Sequence, residues 1–174
     1  MNVNAFEPTA EEGPAREIDP ALLAAANINP LTGLATDYLN HFNEAIMLLE
    51  LIPTMPACIE DVLAWNVMSY REHFLSTHQK HRDLVLTAYD AADPEARHLL
   101  DEIADSMDEI VSATRGALRL GLSPPVAGGL AREAAMMLKP LVARAGAVIN
   151  GLKLMGDVPL AGVAQVAVDA LLED

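Results

Sequence analysis

SYREHFLSTHQKHRDLVLTAYD, residues 69–90, combines a clear helix start with most of the chain's histidines. Ser69 and Glu72 stand in the S-x-x-E spacing of a capping box, in which each side chain satisfies a free backbone N–H at the start of a helix. One helix is therefore predicted from Ser69 to Asp90. Because each residue adds about 100° of rotation, its inner face is expected to carry two histidines among apolar and aromatic side chains. That face consists of Tyr70, Phe74, His78, His81, Leu84, Val85, Ala88 and Tyr89.

The composition indicates one folded, helical domain. A chain of 174 residues is long enough for a single hydrophobic core and short for two domains. Hydrophobic residues make up 52% of the chain but aromatic residues only 4%, so the core depends on Leu, Ala, Val, Ile and eight methionines. Such side chains suit helix packing better than sheets. We expect an all-α, single-domain bundle of about five or six helices.

The charge balance restricts the partners that the protein can have. The chain has 25 acidic and 11 basic residues, and its formal net charge of -14 repels both the phosphate backbone of nucleic acids and anionic lipids. Nucleic acid and membrane surfaces are therefore not expected partners. No uncharged run reaches the roughly 18 residues that are needed to span a bilayer.

Cysteine usage and the N-terminal sequence indicate a cytoplasmic protein. Cys58 is the single cysteine, which excludes an intramolecular disulfide. MNVNAFEPTAEEG, at the start of the chain, lacks the basic-then-apolar pattern of a secretory signal. Cys58 has no histidine near it in the sequence, so we expect a small packing residue rather than a nucleophile.

Residues 1–18 differ in composition from the rest of the chain. They are rich in Glu, Pro and Gly and poor in apolar side chains, so they are predicted to be a disordered acidic tail ahead of a bundle domain at 19–174. Asp19-Pro20 places an N-cap before a proline at the first helical position. This pair predicts a short helix that runs to Ala26.

A second signal of the same kind, Asp93-Pro94, predicts a long helix to about Leu120, with Gly121 as its stop. The pattern of this helix is amphipathic. Its predicted inner face consists of Ala96, Leu99, Leu100, Ile103, Met107, Ile110, Val111, Thr114, Ala117 and Leu118. Its predicted outer face carries an acidic stripe that includes Asp101, Glu102, Asp105, Asp108 and Glu109.

The helix predicted after Ser123 has few polar residues, and a helix that is apolar nearly all round is buried either centrally or in a subunit interface. We therefore expect a homo-oligomer, most simply a homodimer. Pro140 is expected to kink this helix. Candidates to pair with the acidic stripe, within or between subunits, are Arg132, Lys139, Arg144 and Lys153. A last amphipathic helix is predicted over residues 159–174.

Another helix is predicted to follow Thr36, as its N-cap, and to run to about Leu51. His41 lies inside its apolar face, and Glu44 lies one turn away, just outside that face. PACIEDVLAW, residues 56–65, predicts a short helix in which the only tryptophan of the chain serves as a packing anchor.

The candidate site combines His41 and Glu44 with His78 and His81. The three histidines are predicted on the inward faces of two helices, and imidazole and carboxylate groups are common ligands of transition metals in helical bundles. These four residues are therefore the candidate ligands of a transition metal. The alternative is structural, with half-buried histidines hydrogen-bonded to backbone or carboxylate groups. Because no third ligand is fixed by a motif, the structural alternative is the preferred interpretation.

Two other histidine patterns carry less weight. Glu95 and His98 have the local Glu-x-x-His form of ferritin-like di-iron bundles, but both lie on a predicted outer face and no second copy is present, so we expect them to face solvent. His78 and the residues after it have only a loose likeness to histidine phosphotransfer domains. The lysine and glycine that usually follow the histidine of those domains are missing.

Two classes of function remain open. The first is a non-enzymatic interaction module that acts through protein–protein contacts of apolar helix faces, as a homodimer or with another protein partner. The second is a small-molecule or metal-binding bundle, with or without enzymatic activity, that uses His41, Glu44, His78 and His81. No motif in the chain identifies a catalytic residue or a reaction.

Overall fold

A computed structural model describes residues 18–77 and 80–152 of the chain. Within these ranges, seven α-helices and one 3-10 turn follow each other. They are α1 (Pro20–Ala25), the 3-10 turn (Thr36–Tyr38), α2 (Leu39–Leu51), α3 (Cys58–Ala64), α4 (Tyr70–Ser76), α5 (Arg82–Asp90), α6 (Pro94–Leu118) and α7 (Pro124–Ile149). The described residues form no strand, only one antiparallel bridge between Ile28 and Ala35. The predicted all-α single domain is confirmed, while most of the predicted tail and the predicted final helix lie outside the described residues.

The core lies where α2, α6 and α7 meet. α7 packs against both of the other helices, and its buried side is rich in alanine and leucine. Leu39, at the start of α2, lies beside Gly146 near the end of α7, whereas Pro53, just after α2, lies beside Gly128 near the start of α7. α2 and α7 are therefore antiparallel. A Cβ on Gly128 would lie 3.2 Å from the Cα of Pro53, so glycine permits the close approach of the two segments.

α7 has an exposed side, so it is not buried centrally within one copy of the chain, and its burial in a subunit interface stays a prediction. Met136 is 67% exposed, and the helix continues through the exposed Pro140. Lys139 forms an ion pair with Glu50 of α2 rather than with the acidic stripe of α6, because α2 lies within its reach. None of the helices in the described part of the chain is both long and apolar enough to cross a membrane.

α6 confirms the predicted amphipathic helix and its start signal. Asp93 accepts a hydrogen bond from the Ala96 N–H at 2.9 Å, and Gly121 has a φ of 71° shortly after the helix ends. Its buried residues are Leu100, Ile103, Ala104, Met107, Ile110, Val111, Thr114 and Leu118. The outer face departs from the prediction at Asp101 and Asp108, which are partly buried because tyrosines from the preceding elements cover that side of α6.

The loop between α1 and the 3-10 turn ties distant helices together. Gly33 has a φ of 74°, and a Cβ on it would lie 2.9 Å from the carbonyl oxygen of Ala88 in α5, so only glycine fits there. Thr32 donates a hydrogen bond from Oγ1 to the carbonyl of Ile149 at the end of α7, at 2.6 Å. The loop thereby fixes the start of α2 relative to α5 and to the end of α7.

The helix predicted over 69–90 starts as expected. The Ser69 N–H donates to Glu72 Oε2 at 2.8 Å, and the Glu72 N–H donates to Ser69 Oγ at 3.3 Å. The capping box is therefore confirmed. Its N-terminal neighbour α3 also matches the short helix predicted within residues 56–65.

The predicted continuation of this helix to Asp90 is wrong, because the chain forms two helices, α4 and α5. Ser76 Oγ donates to the carbonyl of His73 at 2.8 Å, and Thr77 Oγ1 donates to the carbonyl of Phe74 at 3.2 Å. These hydroxyls occupy the last carbonyls of α4, and Thr77 leaves the helix with an extended ψ of 144°. The helical phase of Tyr70 and Phe74 therefore does not extend to His81.

The start of α2 also differs from the prediction. Thr36 is the first residue of the 3-10 turn, and α2 begins at Leu39 without a side-chain cap. The residue before Thr36, Ala35, donates its N–H to the phenol oxygen of Tyr70 at 2.8 Å. A tertiary contact with α4 therefore holds the chain just before the 3-10 turn.

Candidate functional site

Two buried histidines from different helices form the centre of the candidate site. His41 of α2 is 4% exposed and His73 of α4 is 7% exposed, and their ring centroids are 5.8 Å apart. His41 lies on the apolar face of α2, as predicted. His73 shares one face of α4 with Tyr70 and Phe74 through the i, i+3, i+4 spacing. Docking of α4 against the start of α2 brings the two rings together.

Aromatic side chains hold both imidazoles in place. The Trp65 ring stacks on His41 with centroids 4.2 Å apart and an interplanar angle of 17°, and its Nε1–H donates to the backbone carbonyl of His41 at 3.3 Å. Tyr38 meets His73 edge-on at 5.7 Å. Trp65 is buried, which confirms its predicted role as a packing anchor. The rings are therefore positioned by packing on several sides.

Nε2 of His41 has no hydrogen-bond partner among the described residues, and the imidazole of His73 has only the backbone of Asp37 beside it. Burial and, to a smaller extent, the neighbouring His73 lower the pKa of His41 to about 4, against the opposing effect of a hydrogen bond to the backbone of Asn66. Burial also lowers the pKa of His73, against the opposing influence of Asp37 and Glu44. Both rings are therefore neutral at pH 7. An unpartnered buried polar group costs about 1–3 kcal/mol.

A cleft of about 460 Å³ lies beside this pair, and we call it the His41 cleft. Its lining includes His41, Glu44, Leu48, Asp61, Trp65, Asn66 and Met68. The side chains of Glu44 and Asp61 are exposed, whereas His41 and Trp65 are buried and form its inner wall. The cleft therefore has an acidic entrance and an aromatic floor.

Of the four predicted ligands, the structure describes His41, Glu44 and His81, and these three do not all line one cavity. It brings His41 and Glu44 to the same cleft, as expected from their spacing on α2. His81 is half-buried at the start of α5 and lines another cavity, of about 220 Å³, together with Asp37 and Lys80. His78 lies outside the described residues, so the four-residue metal set stays a prediction. Among the described residues, no three His, Cys, Asp or Glu side chains form a group that could hold a metal ion.

His73 is the buried histidine that the sequence prediction missed. If residues 69–90 formed one uninterrupted helix, His78 and His81 would lie on the same arc as Phe74, so they are predicted to face the core. The Tyr70, His73, Phe74 spacing is the signal that could have identified it, if the helix had been taken only to Ser76. Glu95 and His98 are exposed, as predicted.

A second cleft, of about 300 Å³, lies between α6 and the elements that carry three tyrosines, and we call it the acidic cleft. Its tyrosines and aspartates are Tyr38, Tyr70, Tyr89, Asp101, Asp105 and Asp108. Burial and the nearby Asp105 raise the pKa of Asp108 to about 7, and Asp108 Oδ1 has no hydrogen-bond partner among the described residues. Tyr89 donates its phenol O–H to the Asp101 carboxylate at 3.3 Å.

No protein-family model, curated protein or solved structure matches this chain. The chemistry of the His41 cleft thus follows from its own residues. A neutral imidazole, two carboxylates and an amide offer hydrogen-bond acceptors, and an indole with aliphatic neighbours offers apolar surface. Of the described residues that line this cleft, none is Ser, Thr, Cys, Lys or Arg. The arrangement therefore suits binding of a ligand better than nucleophilic catalysis.

Proposed function

We propose that the protein is a helical bundle that binds a small molecule in the His41 cleft. One observation carries this proposal. His41 forms the inner wall of the cleft, is nine-tenths buried, and has an unpartnered Nε2. A bound polar molecule, directly or through an ordered water, would supply the missing hydrogen bond.

The free-energy cost of burying an imidazole nitrogen without a hydrogen-bond partner supports ligand binding over a purely structural role. His41 leaves one buried nitrogen, Nε2, without a partner in the described chain. Leucine or phenylalanine would fill a similar volume without burying an unsatisfied polar atom. A packing role alone does not require histidine at position 41, whereas recognition of a ligand in the cleft does.

Filling the cleft tests this proposal. Ala64 is an exposed residue that lines the cleft, and Ala143 is an exposed residue of α7 that does not. We expect polar fragments screened by two-dimensional NMR to shift the amide resonances of residues 61–68 in the wild type and in Ala143→Phe, and to lose this effect in Ala64→Phe. The proposal is wrong if fragments bind Ala64→Phe equally well, or if no fragment shifts these resonances.

The metal-binding form of this proposal uses the predicted set of His41, Glu44, His78 and His81. The neutral imidazole of His41 at pH 7 suits metal ligation, because a metal requires the unprotonated nitrogen. Metal analysis of the purified protein by mass spectrometry tests this form. A stoichiometric transition metal that is lost in His41→Ala supports it, and a content far below one equivalent after purification without chelators counts against it.

A second candidate function, a homodimeric interaction module, is favoured by one exposed surface. Met47 and Leu51 are exposed on α2 and flank Glu50, while Met136 is exposed one turn before Lys139 on α7. The ion pair between Glu50 and Lys139 joins these two helices. The surface therefore presents apolar side chains and both signs of charge, as a self-complementary contact between two copies requires.

Light scattering tests the dimer directly. We expect a dimer at micromolar concentration and a monomer for Met136→Glu, because a carboxylate at the centre of an apolar contact loses its hydration. Leu75→Glu is the matched control, since Leu75 is also exposed but lies on α4. A wild-type protein that is monomeric at this concentration, or equal effects of both variants, would remove this candidate.

A further inference from the structure

We infer that the ligand of the His41 cleft is a small aliphatic amine, held by its ammonium group at the Glu44 and Asp61 carboxylates and by its hydrocarbon chain on the inner wall. The inference rests on the proposed function, because it names the chemical class of the ligand for the same cleft. Three properties of the cleft support it: its charge, its hydrogen-bonding groups and its apolar surface.

The charge of the cleft selects a cation. Glu44 and Asp61 are the only charged side chains among the described residues that line it, both carboxylates are exposed at the entrance, and the neighbouring His41 ring is neutral at pH 7. No lysine or arginine is among the described residues that line the cleft. An anionic ligand would meet repulsion without a compensating group, whereas an ammonium group gains two charge-assisted hydrogen-bond acceptors.

The hydrogen-bonding groups require a ligand that donates. One nitrogen of His41 hydrogen-bonds the backbone of Asn66, which favours the neutral tautomer whose Nε2 is an acceptor. The His41 imidazole lines the cleft while its Nε2 is enclosed, so the N–H donors of the ligand are matched first by the exposed Glu44 and Asp61 carboxylates. A ligand that carries only acceptors would leave both the imidazole and the carboxylates unpartnered.

The apolar surface of the cleft favours an elongated organic cation over a metal ion. Leu48, Ala64, Met68 and the Trp65 indole provide apolar contact along the cleft. The carboxylates and the imidazole do not form a three-ligand group for a metal among the described residues. A volume of about 460 Å³ accommodates a short carbon chain with a terminal ammonium.

Fluorescence provides a local test, because Trp65 is the only tryptophan in the chain. The probe is 1,4-diaminobutane, and its matched uncharged and anionic analogues are butane-1,4-diol and succinate. At pH 7 and low salt, we expect the diamine to change the Trp65 emission with saturation, and neither analogue to do so at the same concentration. The apparent affinity for the diamine should fall about five- to ten-fold in Asp61→Asn and in Glu44→Gln, since each loses one charge-assisted contact.

Glu60→Gln is the control for general attraction to an acidic protein. Glu60 is exposed on α3 next to Asp61 but does not line the cleft, so its loss should leave the affinity unchanged. Asp61→Glu should restore most of the affinity that Asp61→Asn loses. Thermal melts verify that each variant is folded before its affinity is compared.

Several outcomes would overturn the inference. An equal loss in Glu60→Gln and Asp61→Asn would show diffuse attraction to surface charge, and an absence of any saturable response to the diamine would exclude this ligand class. A response to butane-1,4-diol or succinate that matches the diamine would reject the cation while supporting the cleft as a binding site. The fragment screen with Ala64→Phe tests the proposed function separately, because fragments of any charge can show that the cleft binds a small molecule.

Discussion

The His41 cleft and the acidic cleft contain ionisable groups of opposite kinds. Tyr38 connects the two regions, because its ring contacts His73, the neighbour of His41, and also lines the acidic cleft. On one side, burial lowers the pKa of His41 to about 4, and on the other side burial raises the pKa of Asp108 to about 7. Burial disfavours the charged form in both cases. The same cause, burial, therefore keeps His41 neutral on one side and keeps Asp108 protonated up to about pH 7 on the other.

The two regions therefore contribute to stability with opposite dependence on pH. The unfolded chain binds a proton at His41 below the ordinary pKa of 6.5, whereas the folded protein does so only near 4, so the contribution is present above pH 6.5 and is lost as the pH falls toward 4. For Asp108, the unfolded chain loses its proton near pH 3.8, whereas the folded protein keeps it up to about pH 7. That contribution is present below pH 3.8 and is lost as the pH rises through 7.

The largest expected effect on stability comes from removing the Trp65 indole, which packs on His41. Trp65→Ala should lower the free energy of unfolding by about 3–5 kcal/mol, because it deletes a buried indole and its stacking on His41. Urea denaturation followed by far-UV circular dichroism measures this change. Trp65→Phe should lose clearly less, and equal losses in the two variants would mean that aromatic packing does not position His41.

The next effect isolates the base. The wild type should lose stability between pH 7.5 and pH 5, and His41→Leu should remove this loss. The free energy of unfolding of the variant should therefore rise relative to that of the wild type by about 1–2 kcal/mol over this range. The exposed histidine of α6 provides the control, as His98→Leu should leave the pH dependence unchanged. Parallel stability curves for His41→Leu and wild type would contradict a lowered pKa at His41.

The smallest effect isolates the acid. Asp108→Asn mimics the protonated carboxyl, so it should raise the free energy of unfolding at pH 8 by about 1 kcal/mol and have less effect at pH 5. Glu109→Gln, at the exposed neighbouring position, should change stability at neither pH. If Asp108→Asn destabilises the protein equally at both pH values, the carboxylate is hydrogen-bonded in its charged form and the two clefts do not mirror each other.

Local signals in the sequence predict much of the fold. Asp19 and Asp93 cap helices through hydrogen bonds to N–H groups two or three residues away, and Ser69 with Glu72 does the same at α4. Such interactions involve neighbouring residues, so their spacing is visible without the tertiary structure. The buried face of α6 follows from helical periodicity for the same reason.

The sequence by itself therefore determined the starts of α1, α4 and α6, the amphipathic pattern of α6, and the positions of His41 and Glu44 on α2. Only the tertiary structure decided that His73 is the partner of His41. That contact depends on Thr77 ending α4, and on α4 then docking against a helix that lies about thirty positions earlier in the chain. The tertiary structure also decided the burial of Asp108, because tyrosines from three distant segments close the acidic cleft over it. Residue spacing encodes contacts within a helix, whereas contacts between helices depend on where each helix ends and how it packs.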